Sequence, residues 1–212
     1  MALAVIRSRA ALGIDAPAVM VEVHLANGLP ALSIVGLPEA AVRESKDRVR
    51  SALLTCGFEF PNRRITVNLA PADLPKEGGR FDLPIALGIL KASGQLKAEL
   101  EEYEFAGELG LDGSLRPITG VLPLALQSRA SGRRLIVPSA SAAEGALVHP
   151  QACFGAGHLL EVCAHLTGTA SLNPAEPPPP SDAVPVADLV DVKGQQPAKR
   201  ALEIAAAGGH SL

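Results

Sequence analysis

Three groupings of side chains have residue types and spacing that could do chemistry. Lys76 and Arg80 bracket Gly78–Gly79 in PKEGGRFD, where two glycines let backbone amides approach an anion and the cations supply charge. Arg63 and Arg64 follow Pro61 at the mouth of a β-rich run with no acid adjacent, an arrangement suited to phosphate contact. Cys163 lies near His158 and His165, but no second cysteine pair or HxxxH spacing completes a shell, so no metal is expected. A fourth set, Arg43, Lys46, Arg48 and Arg50, occupies a helical stretch. There Glu39, Glu44 and Asp47 fall at i,i+4 spacing, which predicts a self-paired, solvated face. None of the six lysines follows the glycines of a GxxxxGK[ST] loop, so nucleotide hydrolysis is not expected of this chain.

Composition narrows the classes further. The 212 residues are 48% hydrophobic, enough to build a core and too much for a disordered chain. No apolar run is long enough to span a bilayer, so no membrane partner is expected. Three cysteines, Cys56, Cys153 and Cys163, without CxxC spacing fit a reducing, cytoplasmic setting better than a disulfide framework. With five Phe, one Tyr and no Trp, an aromatic platform for stacking single-stranded bases is not expected. Charge is uneven: residues 1–80 carry ten basic and eight acidic side chains, whereas 81–212 carry nine and fourteen. A polyanionic partner is therefore sought on the first half.

Alternating strand-like and helical segments must position these groups. Strands are predicted at 19–24, 31–37, 65–69 and 134–137, and a hairpin around LDG at 111–113. Helices are predicted at 39–56, at 83–93 with Asp82 as N-cap, at 121–130 and at 158–166. A mixed sheet covered by helices, an α+β domain, follows for residues 1–167. Residues 168–187 hold six prolines, four of them consecutive, and predict a stiff extended linker. The remaining 188–212 contain about one helix and cannot bury a core alone, reading as the start of a further domain.

Four long segments carry a family resemblance. LSIVGLPEAAVRESKDRVRSAL, ITVNLAPADLPKEGGRFDLPIALGIL, GELGLDGSLRPITGVLPLAL and DVKGQQPAKRALEIAAAGGHSL resemble, in this order, the ComM family, also called YifB or magnesium-chelatase-like AAA+ ATPases. The resemblance implies an N-terminal domain of Lon-protease type (the ribosomal-protein-type βα fold), followed by a motor domain beginning near 188. It further implies a hexameric, ATP- and magnesium-dependent DNA motor acting in branch migration during natural transformation, with both cofactors held outside these residues.

Lon proteases use a Ser–Lys dyad, in which lysine takes the serine proton. By resemblance to the dyad segments, the serine position falls on Arg80 and the lysine position on Leu124. Neither can act as nucleophile or base, so no catalytic residue and no activity are expected of this chain alone. The expectation is a basic surface of Arg63, Arg64, Lys76 and Arg80 that meets DNA. The alternative is an oligomerisation collar making protein contacts only.

Overall fold

The computed structural model describes residues 2–179 and 188–211 and divides the chain into two compact units, Met1–Pro178 and Pro179–Leu212. Strands β1 (Ala2–Arg9) and β2 (Ala18–Ala26) form an antiparallel pair, Val5 opposite Glu22. Next come β3 (Ala31–Val35), α1 (Ala40–Arg43), α2 (Ser45–Thr55) and β4 (Arg64–Ala70). The four strands make one mixed sheet in the order β1-β2-β4-β3, in which β4 is antiparallel to β2 and parallel to β3. Alternation is regular. Val19, Val21, Val23 and Leu25 of β2 face the core with Ile65, Val67 and Leu69 of β4.

Helix α3 (Asp82–Ala92) is the centre of the unit, and every residue from Asp82 to Leu90 is buried. Gly88 explains how closely it packs: a Cβ there would lie 2.5 Å from Val23 Cγ2 of the sheet. Beyond it, β5 (Tyr103–Phe105), β6 (Glu108–Leu109), β7 (Leu115–Arg116), α4 (Val121–Ala130), β8 (Arg134–Pro138), α5 (Ser139–Ala146), β9 (Cys153–Ala156) and α6 (Leu159–Leu166) follow. Strands β5, β8 and β9 form a parallel sheet, and β6 and β7 form the hairpin expected around LDG. The architecture is mixed α and β, with helices on a mixed sheet.

Two local expectations are corrected. The helix predicted across 39–56 is broken at Glu44 into α1 and α2, and Ser45 turns its hydroxyl inward to Asp82. Asp82 does not cap α3. Phe81 holds that position, and the Asp82 carboxylate points instead toward α2 and β6.

Residues 168–178, read from sequence as linker, belong to the first compact unit. Ala175 N donates to Cys153 O at 2.8 Å, and Leu172 packs against the main core. Leu172 N also donates to Nδ1 of His165 at 3.0 Å. That bond assigns the ring proton to Nε2, which faces the Tyr103 hydroxyl at 3.3 Å. Of the expected linker, residues 180–187 lie outside the described residues. The second unit carries a short 3-10 turn, Leu189–Asp191, and α7 (Gln196–Gly208).

His165 makes this fastening pH-dependent. Burial, and then the nearby Arg134 charge, hold its pKa below the ordinary histidine value. The unfolded chain therefore binds the proton more readily, and stability falls as pH drops from about 6.5 toward the folded value. Unfolding midpoints measured across that window should decline in the native protein and flatten in His165→Gln.

Candidate nucleic-acid interface

The loop between α2 and β4 sets up the basic site. Pro61 and Asn62 turn the chain so that Arg63 and Arg64 enter β4 from its exposed end, and both are exposed. Across from them, α2 presents Lys46 and Arg50 one helical turn apart. A cleft of about 360 Å³ lies between, lined by Lys46, Arg50 and Arg63, with Asp47 as its carboxylate and Phe60 as its aromatic wall. The Arg50 guanidinium carbon sits 4.6 Å from the Phe60 ring centroid, which stacks the cation on the ring and steadies it. A second hollow of about 300 Å³ shares Pro61, Asn62 and Arg63, so Arg63 stands on a ridge between two depressions.

The cations here are free of ion pairs. Among the described residues, neither Arg43, Lys46, Arg50, Arg63 nor Arg64 comes within salt-bridge distance of a carboxylate. The self-paired face expected for this helix is therefore a correction: of its anticipated pairs only Glu44–Arg48 forms, at 3.8 Å. The break at Glu44 falls between Arg43 and Asp47 and separates that pair. Arg48 is drawn inward, donating from Nε to Asp82 Oδ2 at 2.6 Å. Sequence reasoning thus missed Lys46 and Arg50 as partners of Arg63. They meet Arg63 only in the fold, where α2 is held by the Ser45–Asp82 hydrogen bond across 37 residues.

Lys76 and Arg80 do not share this surface. Lys76 is fully buried, and its Nζ donates to the carbonyl of Pro71. Burial lowers its pKa, with Asp73 opposing the shift. Arg80 is 7% exposed, and its Nη2 donates to Thr119 O at a long 3.4 Å. The expected four-residue basic surface is therefore reduced to Arg63 and Arg64, because the chain folds the glycine loop under itself. Leu124, at the other dyad position, is a core residue packed with Val121, Ala125 and Leu135. Burial also pushes the thiols of Cys153 to about 11 and Cys163 to about 12, the latter with a contribution from Cys56. Both are held as protonated thiols at neutral pH.

The family described as subunit ChlI of Mg-chelatase matches residues 21–141, and a second description, magnesium chelatase subunit ChlI, matches 188–212. The YifB protein of Salmonella typhimurium is 52% identical over 213 residues, covering all of this chain and 42% of the relative. The competence protein ComM of Haemophilus influenzae is 52% identical over 218 residues, covering all of this chain and 43% of the relative. The chain belongs to the ComM/YifB magnesium-chelatase-like family. It spans about two-fifths of the length of these curated relatives. YifB of Escherichia coli matches at the same 52% identity over 216 residues. No helix among the described residues is long and apolar enough to cross a membrane.

Proposed function

We propose that this chain is the non-catalytic, Lon-protease-like N-terminal part of a ComM-like AAA+ motor and that it grips DNA through the Arg63 cleft. The observation that carries the reading is the set of unpaired cations Lys46, Arg50 and Arg63 lining one groove, with the exposed Arg64 next in the chain, opposed by the single lining carboxylate of Asp47. Such cations neutralise phosphates without reading sequence. In a hexamer, repeated copies would raise a weak individual contact through effective concentration. In the full protein, ATP and magnesium would be held by the motor, and branch migration of recombination intermediates in the cytoplasm would be its work. The occupants of the dyad positions, Arg80 and Leu124, favour a scaffold over a peptidase.

A second reading, a collar of protein contacts only, is favoured by apolar residues at loop tips. Ile14 and Leu29 are 80% and 88% exposed, more than a solvated loop requires. Fluorescence anisotropy with single-stranded, duplex and four-way-junction DNA separates the two. Binding should weaken roughly tenfold in Arg63→Ala/Arg64→Ala, and again in Lys46→Ala/Arg50→Ala, with the fold unchanged by circular dichroism. No binding at low salt, together with self-association in sedimentation, would assign the collar role instead.

A further inference from the structure

Arg80 is the buried charge that this reading leaves without a task. Among the described residues, the buried side-chain polar atoms lacking any partner are Ser8 Oγ and two nitrogens of Arg80, Nε and Nη1. A guanidinium removed from water with these donors unmatched is costly, and a native fold rarely retains one without a use. Among the described residues no carboxylate comes within salt-bridge distance of Arg80, and the charge of Glu77 only partly opposes the desolvation. Glu108, the acidic residue lining the same cleft, makes its ion pair with Arg116 at 3.5 Å.

The surroundings are shaped for a small guest. The cleft holds about 180 Å³ and is lined by Gly78, Gly79, Arg80, Glu108, Ile118 and Thr119. That is well below the several hundred Å³ of sites that enclose a nucleotide-sized ligand, and it suits a single charged group. Gly79 must lack a side chain here, because a Cβ would lie 2.4 Å from Glu108 Oε2, whereas Gly78 faces open space. A planar or tetrahedral oxyanion engages two neighbouring guanidinium nitrogens at once. Both possible forks include Nη2, and its 3.4 Å bond to Thr119 O is weak enough to yield.

We propose that this cleft is a receptor for a compact oxyanion, a carboxylate or phosphate group, bound by an Arg80 fork in which Nη2 joins one of the unpartnered nitrogens, Nε or Nη1. Desolvation already disfavours the isolated cation, and an anion at this point would relieve that penalty. The site is separate from the Arg63 groove, shares none of its lining residues and is independent of DNA binding.

Thermal unfolding of the chain in HEPES tests it, with inorganic phosphate or acetate added against sodium chloride at equal ionic strength. Saturating anion should raise the midpoint by about 3–6 °C at tenfold excess over Kd. A rise with acetate as well as phosphate would identify a carboxylate receptor; a rise with phosphate alone, a phosphate receptor. Either supports the site, provided that Arg80→Met abolishes the rise and Arg63→Ala/Arg64→Ala retains it. In Arg80→Lys, which keeps the charge and removes the fork, the half-saturating concentration should increase at least about tenfold. Titration of the native Arg80 Nε–H resonance gives the same answer without relying on a variant that must fold. No anion-specific rise, no movement of that resonance, or equal loss of the rise in the Arg63/Arg64 double variant would overturn the proposal.

Discussion

Glu104→Ala is expected to destabilise the first unit by about 3–5 kcal/mol, because it strands a buried cation. Glu104 is 1% exposed on β5 and accepts from both Nε and Nη2 of Arg9, at 2.5 and 2.8 Å. Arg133 Nη1 adds a third contact at 3.3 Å. Arg9 is itself buried, and its remaining donors reach Ala16 O, Gln127 O and Ser131 Oγ. One carboxylate therefore ties the end of β1 to β5 and to the end of α4. Urea unfolding should show the loss as a lower midpoint. Arg9→Met/Glu104→Leu should cost less than Glu104→Ala alone, since replacing both charges leaves neither one unpaired. A single-variant loss below about 1 kcal/mol would mean that water reaches the pair.

This cluster also shows where sequence reading stops. Arg7 and Arg9 interrupt the apolar N-terminus, and no strand was predicted there. Yet Ala2–Arg9 is a full strand, because Arg9 finds its counter-charge 95 residues away. Local patterns fared better where periodicity alone decides. Helix α4 runs from Val121 to Ala130 as expected, and the LDG hairpin pairs Glu108 with Arg116. Arg63 and Arg64 were legible as exposed cations because Pro61 and the β-run that follows place them at a strand mouth. Lys76 and Arg80 read the same way from their loop, but loop composition does not report burial. Their environment is made by the Pro71 and Thr119 carbonyls, which only the fold brings near. Lys46 and Arg50 have no acid at i,i+4 spacing, but the pairs that Arg43 and Arg48 could make with Glu39, Glu44 and Asp47 mark the whole helix as a self-paired face.

Asp82→Ala should cost about 3 kcal/mol, the second largest effect, by orphaning several donors at once. The carboxylate is fully buried and accepts from Arg48 Nε at 2.6 Å, Arg48 Nη2 at 3.1 Å, Ser45 Oγ and Leu109 N at 3.2 Å. It thereby fixes α2 to α3 and β6, and with them the helix that carries Lys46 and Arg50. Burial raises the Asp82 pKa, and hydrogen bonds from Arg48 and Ser45 only partly oppose it. With the folded pKa above the unfolded one, this group's contribution is largest at acid pH. It falls as pH rises through the interval between the two values. Asp82→Asn, which keeps hydrogen-bonding capacity and removes the desolvated charge, should therefore lose less than Asp82→Ala in denaturant unfolding at neutral pH. Equal losses would show that the ionised form is what the site requires. DNA affinity should fall alongside stability in Asp82→Ala, because Lys46 and Arg50 lose their fixed relation to Arg63.

The central claim is that phosphate neutralisation at the Arg63 cleft is what this chain contributes to DNA binding. The most direct measurement is the slope of log affinity against log salt for duplex DNA, in the native chain and in Arg63→Ala/Arg64→Ala. Contact by four cations predicts a slope of about −3 to −4, reduced in magnitude by about two in the double variant. A slope that the substitutions leave unchanged, in a protein that still folds, would contradict the account and place the DNA contacts elsewhere.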